Sequence, residues 1–269
     1  GRGLAHLLAD RRTVTVHTSA SAAGGAIAGN DVTALARDPL SGDLWVGTGG
    51  AGVGVRSVDG TWRTYTRAST DGGLGSDDIA DIAVEPGGIV WIATRETAYD
   101  AAASTWVDGG LSRYEGGRWS RLGRSDGLPS NHLSALALDG RGKLWVGTGA
   151  TDRGPKEHAY RGWGLAVVDT ASARWERTFT VPTLTSNNIT DLVVSGDLLW
   201  VATSYFLYVD PRPGGAQVTT GGGISVLEPR LSRGDFLVNC STDVSSVALI
   251  SLCQERGALY IDTCIEPWA

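Results

Sequence analysis

The chain has 269 residues, a formal net charge of −6 and a pI of about 5.2, with 38 glycines, 10 tryptophans and no methionine. The net negative charge argues against nucleic acid as a partner, because proteins that bind its backbone are usually basic. No apolar run is long enough for a transmembrane helix. A hydrophobic fraction of 42% supports a packed core, and abundant glycine with few charges predicts many short strands joined by tight turns.

A five-residue string built around an aromatic residue recurs along the chain. Its copies are Leu44–Thr48, Val90–Thr94, Leu144–Thr148 and Leu199–Thr203, with a weaker one at Leu259–Thr263. A second apolar segment precedes each string, and two more segments follow the first four copies. Four strands, A to D, in a repeat of roughly 50 residues are typical of a β-propeller blade.

In chain order, the N-terminal segments Gly3–Leu8 and Thr13–His17 match strands C and D of a blade. Blades one to four follow, at about 30–68, 77–124, 131–181 and 187–239, and residues 241–269 match strands A and B. We therefore predict one all-β domain over 1–269, a five-bladed propeller with four antiparallel strands per blade. Its fifth blade is a composite of 1–20 and 241–269, closed by the N-terminal strands C–D pairing with the C-terminal strands A–B. The alternative is an open fragment of a larger propeller.

The segment Asp126–Leu133, followed by Leu144–Thr148, resembles the two-component-regulator propeller repeat. The resemblance extends over nearly the whole chain, and blade three matches best. It implies the fold of the extracellular or periplasmic ligand-sensing region of bacterial sensor kinases, and hence a sensor-like binding role.

The connections between strands B and C are long in blades two, three and four, at 95–109, 149–163 and 204–221, and they are rich in aromatic residues. B-to-C and D-to-A connections share one face of a propeller, the top face, and loops on a rigid scaffold often carry binding. The candidate ligand-binding residues are Arg95, Tyr99, Trp106, His158, Tyr160, Trp163, Tyr205, Phe206 and Tyr208. Interleaved polar residues, Glu96 and Asp108 among them, suit a small molecule, saccharide or peptide, or a protein partner. Alternatively, these loops bury their own aromatic residues.

Polar residues that enter strand A form a second candidate set at the top of the central channel. Asp31, Asp78 and Asp243 are the candidate metal ligands, because a ring of carboxylates suits Ca²⁺. Hydrogen bonds from such residues to their own turns are the alternative. No other cofactor is predicted.

Asp81 and Asp191 lie in the middle of strand A, where the other blades carry small residues. Two carboxylates near the axis are candidate catalytic groups for a glycosidase or lyase, and structural hydrogen bonds are the alternative. The chain carries no G-x-S-x-G or H-E-x-x-H motif, and no glycine-rich loop between a strand and a helix.

The three cysteines, Cys240, Cys253 and Cys264, all lie near the C-terminus. Cys240 and Cys264 map to the same face of the predicted fifth blade, so we expect a disulfide between them, with Cys253 left over. A disulfide would indicate an oxidising compartment. We therefore predict a secreted or periplasmic, non-catalytic binding module. Its alternatives are the enzyme above and a structural subunit that associates with copies of itself.

Overall fold

The computed structural model describes residues 2–8, 11–20, 26–100, 102, 105–149, 162–181, 183–184, 186–204, 206–208, 218–220, 233, 236–239, 246–257 and 259–262. Within these residues no helix is both long and apolar enough to cross a membrane. The first element is an antiparallel hairpin of β1 (Leu4–Leu7) and β2 (Val14–His17).

Blades one, two and three are four-stranded antiparallel sheets, so the predicted repeat is confirmed for them. Blade one contains β3 (Val32–Arg37), β4 (Leu44–Thr48), β5 (Val53–Arg56) and β6 (Trp62–Tyr65). Blade two contains β7 (Ile79–Val84), β8 (Val90–Thr94), β11 (Gly110–Glu115) and β12 (Arg118–Leu122). A separate small hairpin of β9 (Tyr99–Asp100) and β10 (Thr105–Trp106) lies between β8 and β11 in the chain. A 3₁₀ turn at Arg124–Asp126 leads to blade three, which contains β13 (Leu133–Leu138), β14 (Lys143–Thr148), β15 (Leu165–Asp169) and β16 (Arg174–Phe179).

Blade four is represented by one antiparallel pair, β17 (Asn188–Ser195) and β18 (Leu198–Ser204), in the positions of strands A and B. A short hairpin, β19 (Phe206–Tyr208) with β20 (Val218–Thr220), follows as a separate sheet. Among the strands that the structure describes, β18 pairs only with β17.

A backbone hydrogen bond that recurs between consecutive blades identifies the N-terminal hairpin. The glycine at the start of strand C donates its N–H to a residue one or two positions before strand A of the next blade. These bonds run from Gly52 to Asp77 O at 2.9 Å, from Gly110 to Asn131 O at 2.7 Å and from Gly164 to Asn187 O at 2.8 Å. Gly3 donates to Asn30 O in the same way, at 2.9 Å. Strands β1 and β2 therefore occupy positions C and D of a blade that precedes blade one.

The apolar core lies between neighbouring blades. Trp45 is 4% exposed and packs with Ile79 and Ile82 of blade two, and fully buried Trp91 packs with Leu136 of blade three. A third cluster joins blades three and four. The strand B tryptophans of blades one and two thus fill the spaces between sheets, as their regular spacing predicts.

The composite fifth blade is the part of the prediction that the structure overturns. Ser246–Arg256 form a helix, α1, where strand A of that blade was expected. The segment after it, β22 (Leu259–Asp262), is a strand, but it pairs in parallel with β21 (Phe236–Asn239). Parallel neighbours need a crossover, which α1 supplies, whereas a blade is antiparallel throughout. Strands β1 and β2 pair only with each other among the described strands, so the structure does not confirm closure by residues 241–269 or the count of five blades.

Candidate ligand-binding face

The face that carries the B-to-C and D-to-A connections is built on the same backbone contacts in three blades. The residue after strand B donates its N–H to the residue that enters strand A: Gly49 to Asp31 O at 2.8 Å, Arg95 to Asp78 O at 2.9 Å and Gly149 to His132 O at 3.1 Å. Both connections therefore lie at one edge of each sheet, which we call the rim. Of the candidate residues, Arg95, Tyr99, Trp106 and Trp163 lie on connections at the rim.

The candidate metal ligands do not converge in the described part of the chain. The Asp78 carboxylate accepts a hydrogen bond from Arg95 Nη1 at 2.9 Å, and that same nitrogen donates to Ile79 O at 3.0 Å. Asp31 lies beside Gly49 of its own blade, blade one, where a Cβ at Gly49 would come within 2.6 Å of Asp31 Oδ2. No group of three His, Cys, Asp or Glu side chains suited to a metal occurs among the described residues, and Asp243 lies outside them.

The B-to-C connection of blade two folds on itself. The Asp108 carboxylate accepts hydrogen bonds from the N–H groups of Thr97, at 2.9 Å, and Ala98, at 3.0 Å, and from the Thr97 hydroxyl. Tyr99 and Trp106 meet edge to face across the β9–β10 hairpin, with ring centroids 5.3 Å apart. Because Trp106 is only 9% exposed, its ring stabilises the connection rather than offering a stacking surface.

Glu96 occupies an unusual position at the start of this connection. It is 3% exposed, and its Oε1 has no hydrogen-bond partner. Burial raises the pKa of Glu96 to about 7; the charge of Arg124 and a hydrogen bond from the Asn131 backbone lower it, and the charge of Asp108 raises it further. The rim therefore contains a buried carboxyl group that changes charge near neutral pH.

Arg124 links the connections of blades two and three. Its guanidinium lies over the ring of Trp163, 5.2 Å from the centroid, and its backbone N–H donates to Asn131 Oδ1 at 2.9 Å. The backbone N–H of Trp163 donates to Thr148 Oγ1 at 2.7 Å, and the residue is 37% exposed. A guanidinium held over an accessible indole can offer both a stacking surface and directional N–H donors.

Sequence reasoning placed Glu96 among the polar residues of the rim but missed Arg124. Arg124 belongs to a D-to-A turn rather than to a long B-to-C connection, and only its contact with Trp163 reveals its place. His158, Tyr160 and Tyr205 lie outside the described residues. Phe206 and Tyr208 lie on β19, but their side chains are outside the description.

Asp81 and Asp191 form separate hydrogen bonds with the backbone. Asp81 Oδ1 accepts the N–H of Ile82 and Oδ2 that of Leu136, each at 2.8 Å, and Asp191 Oδ1 accepts the N–H of Leu192 at 2.8 Å. Burial raises the pKa of Asp81, the two backbone hydrogen bonds lower it, and the Asp191 charge raises it. The groove between blades three and four, lined by Trp145, Leu198 and others, includes neither carboxylate.

Residues 127–150, which run from the D-to-A turn through strand B of blade three, match the family model of the two component regulator propeller. The chain carries a two-component-regulator propeller repeat. The fold of the chain is similar to that of the extracellular domain of a putative hybrid two component system from B. thetaiotaomicron, with a TM-score of 0.52 and 20% identity. That similarity covers 70% of this chain and 22% of the other.

The C-terminal residues match a different family. Residues 214–269 match the saccharopine dehydrogenase NADP binding domain. The homospermidine synthases of Mesorhizobium japonicum and Blastochloris viridis are each 46% identical to this chain over 54 residues. The match covers 19% of this chain but only 11% of either synthase. These matches include the residues 241–269 that were expected to form part of a fifth blade.

Proposed function

We propose that the chain is a non-catalytic recognition module that acts in a secreted or periplasmic setting and binds through the rim of blades two and three. Its ligand is a small molecule, saccharide or peptide, or a protein partner. The observation that carries the proposal is Arg124 held over the accessible ring of Trp163, at a rim where the charge of Arg124 also acts on the buried carboxyl group of Glu96. Aromatic and arginine side chains of this kind are common anchors of binding sites.

The fold supports a binding role over the enzyme alternative. The carboxylates of Asp81 and Asp191 each accept backbone N–H groups. This arrangement does not favour a pair of carboxylates that share one pocket for acid–base chemistry. Calcium at the strand A entrances remains a proposal: the described aspartates form no metal cluster, and the ion would need Asp243. The Cys240–Cys264 disulfide likewise remains a proposal, because both residues lie outside the described part of the chain.

The test is a binding screen of the whole chain against panels of saccharides, amino acids and short peptides, read by thermal shift and confirmed by calorimetry. We expect Trp163→Ala and Arg124→Ala each to weaken binding of any hit by tenfold or more. The matched control is Trp62→Ala, which removes a tryptophan from strand D of blade one. If hits bind the Trp163 and Arg124 variants as tightly as the parent, the rim is not the binding surface.

A second proposal concerns residues 214–269 alone. The β21–α1–β22 arrangement and the family match together favour part of a dinucleotide-binding α/β unit. Residues 214–269 contain no G-x-G-x-x-G turn, the element that holds a pyrophosphate at a helix N-terminus. We therefore expect hydrogen exchange to show a protected helix at 246–256, and NADPH to leave that protection unchanged. Uniformly fast exchange across 246–256 would contradict the assignment.

A further inference from the structure

Among the described residues, the two ends of the run of blades each present an exposed apolar surface. Strand B of every blade carries a tryptophan at the same register position, which faces the following blade. Trp45 and Trp91 are 4% and 0% exposed because the next blade covers them. Trp200 of β18 is 63% exposed, and its cross-strand neighbour Val193 is 54% exposed. We call the surface formed by Val193 and Trp200 the trailing face.

The opposite surface lies at blade one. Ile82, Leu136 and Leu192 occupy one register position of strand A and are 6%, 7% and 6% exposed, each packed in the core cluster shared with the preceding blade. Leu35 occupies the same position in β3 and is 53% exposed. We call the surface around Leu35 the leading face. The equivalent surfaces of blades two and three, around Ile82 and Leu136, cover Trp45 and Trp91.

Strands β17–β18 and the hairpin β1–β2 are complementary halves of one blade. The first pair holds positions A and B, and the hairpin holds C and D. In blades one and three, strand B pairs with strand C in the same register, as Gly47 with Val53 and Gly147 with Leu165. The same register would set Ala202 opposite Leu4 and Leu199 opposite Leu7. Leu7 is 56% exposed, which is consistent with an uncovered edge at β1.

We propose that a second copy of this chain supplies the missing contact, so that β17–β18 of one copy completes a blade with β1–β2 of the other. The trailing face of each copy then packs on the leading face of its partner, which repeats the interface already present between blades one and two. Exchange in both directions closes a two-fold ring of roughly eight blades, within the range that propellers adopt. The proposal is independent of ligand binding at the rim.

The first test is the mass of the whole chain by size-exclusion chromatography with light scattering. We expect twice the 28.1 kDa of one chain. Trp200→Arg and Leu35→Arg should each give a single chain with an unchanged circular dichroism spectrum, and Trp200→Ser and Leu35→Ser serve if the arginine variants fail to fold. Val58→Arg, at a 72% exposed turn residue outside both faces, is the control and should remain dimeric. A wild-type protein that stays a single chain at 100 µM overturns the proposal.

The second test separates this arrangement from its rivals. Mixing Trp200→Arg with Leu35→Arg leaves one intact trailing-to-leading interface, so we expect dimers to reappear at concentrations where neither variant dimerises alone. No recovery would overturn the reciprocal exchange and indicate contact between like faces. A Leu4→Cys chain mixed with an Ala202→Cys chain should form an oxidised dimer, whereas Leu4→Cys with Val58→Cys should not. In a chain that carries both Leu4→Cys and Ala202→Cys, a cross-link confined to monomers would show closure within one copy and overturn the proposal.

Discussion

The carboxylate of Asp81 joins two blades through the backbone of Leu136. Asp81 Oδ2 accepts the Leu136 N–H at 2.8 Å across 55 positions of sequence, while Oδ1 accepts the N–H of Ile82. The predicted position of Asp81 near the axis suggested acid–base chemistry. Its carboxylate instead accepts one backbone N–H from its own sheet and one from the next. Buried backbone N–H groups without partners are costly, which explains why a carboxylate is retained here.

Asp81→Ala should destabilise the protein by about 1–3 kcal/mol, because the Leu136 N–H loses its acceptor in a partly buried site. The matched control is Asp191→Ala, since exposed Asp191 accepts only the N–H of its own neighbour, Leu192. That variant should change the free energy of unfolding by no more than about 0.5 kcal/mol. Urea unfolding of the two variants provides the comparison, and equal losses would contradict the role assigned to Asp81.

Glycine at the strand B position next to the axis allows close approach of neighbouring sheets. A Cβ at Gly147 would lie 2.6 Å from Ile189 Cγ2 of the next blade, and one at Gly47 would lie 2.6 Å from Ile79 Cγ2. Gly147→Ala should therefore cost about 1–3 kcal/mol through overpacking. Gly87→Ala, at a turn where no atom lies within 4 Å of the added Cβ, is the control. Thermal unfolding checks both variants, and an unaffected Gly147→Ala melting temperature would argue against tight contact between blades.

The repeat was readable from sequence because the same physical demands recur in each blade. The apolar string, the small residue and the turn glycine recur once in each sheet. Of the four complete blades and one composite blade that this spacing predicted, the structure confirms blades one to three as four-stranded sheets. The pairing of Arg124 with Trp163 could not be predicted this way, because it joins two irregular connections whose relative position is fixed only in three dimensions. The same holds for the burial of Glu96.

The C-terminal error has a local cause. Ala248, Leu249, Leu252 and Cys253 recur at helical spacing, and Gly257, with a φ of 67°, follows the helix directly. The aromatic string at Leu259–Thr263 favoured a blade and outweighed this signal. A short strand pattern does not distinguish antiparallel from parallel neighbours, so strand β22 was assigned correctly as a strand and wrongly as part of a blade.

Cys253 provides a chemical check of the helix. It is free and 1% exposed in α1, and burial raises the pKa of its thiol. We expect it to resist a thiol reagent such as DTNB in the native protein and to react fully in urea, because the reactive species is an accessible thiolate. The variant Ser251→Cys, two residues earlier on α1 at an exposed position, should react in the native state. Rapid native labelling of Cys253, followed by mass spectrometry of the peptide, would contradict the packing of α1.

Glu96 makes the stability of the protein depend on pH in a defined window. Because burial raises its pKa from 4.5 to about 7, the folded state binds this proton more tightly than the unfolded state does. The resulting contribution is complete below about pH 4.5 and is lost as the pH rises to about 7. With about 1.4 kcal/mol for each unit of pKa difference, the loss amounts to about 3 kcal/mol across that window.

Glu96→Gln should remove this dependence, because the amide stays neutral at every pH. Relative to the parent, the variant should gain about 2–3 kcal/mol of stability between pH 5 and pH 8, measured by urea unfolding at intervals of half a pH unit. Taking the difference from the parent cancels the titration of the other carboxylates. Glu255→Gln, at an exposed position of α1, is the control and should parallel the parent curve. A stability difference between Glu96→Gln and the parent that stays constant from pH 5 to pH 8 would contradict this prediction. It would mean that Glu96 is ionised in the folded protein, because the charge of Arg124 lowers its pKa by more than burial raises it.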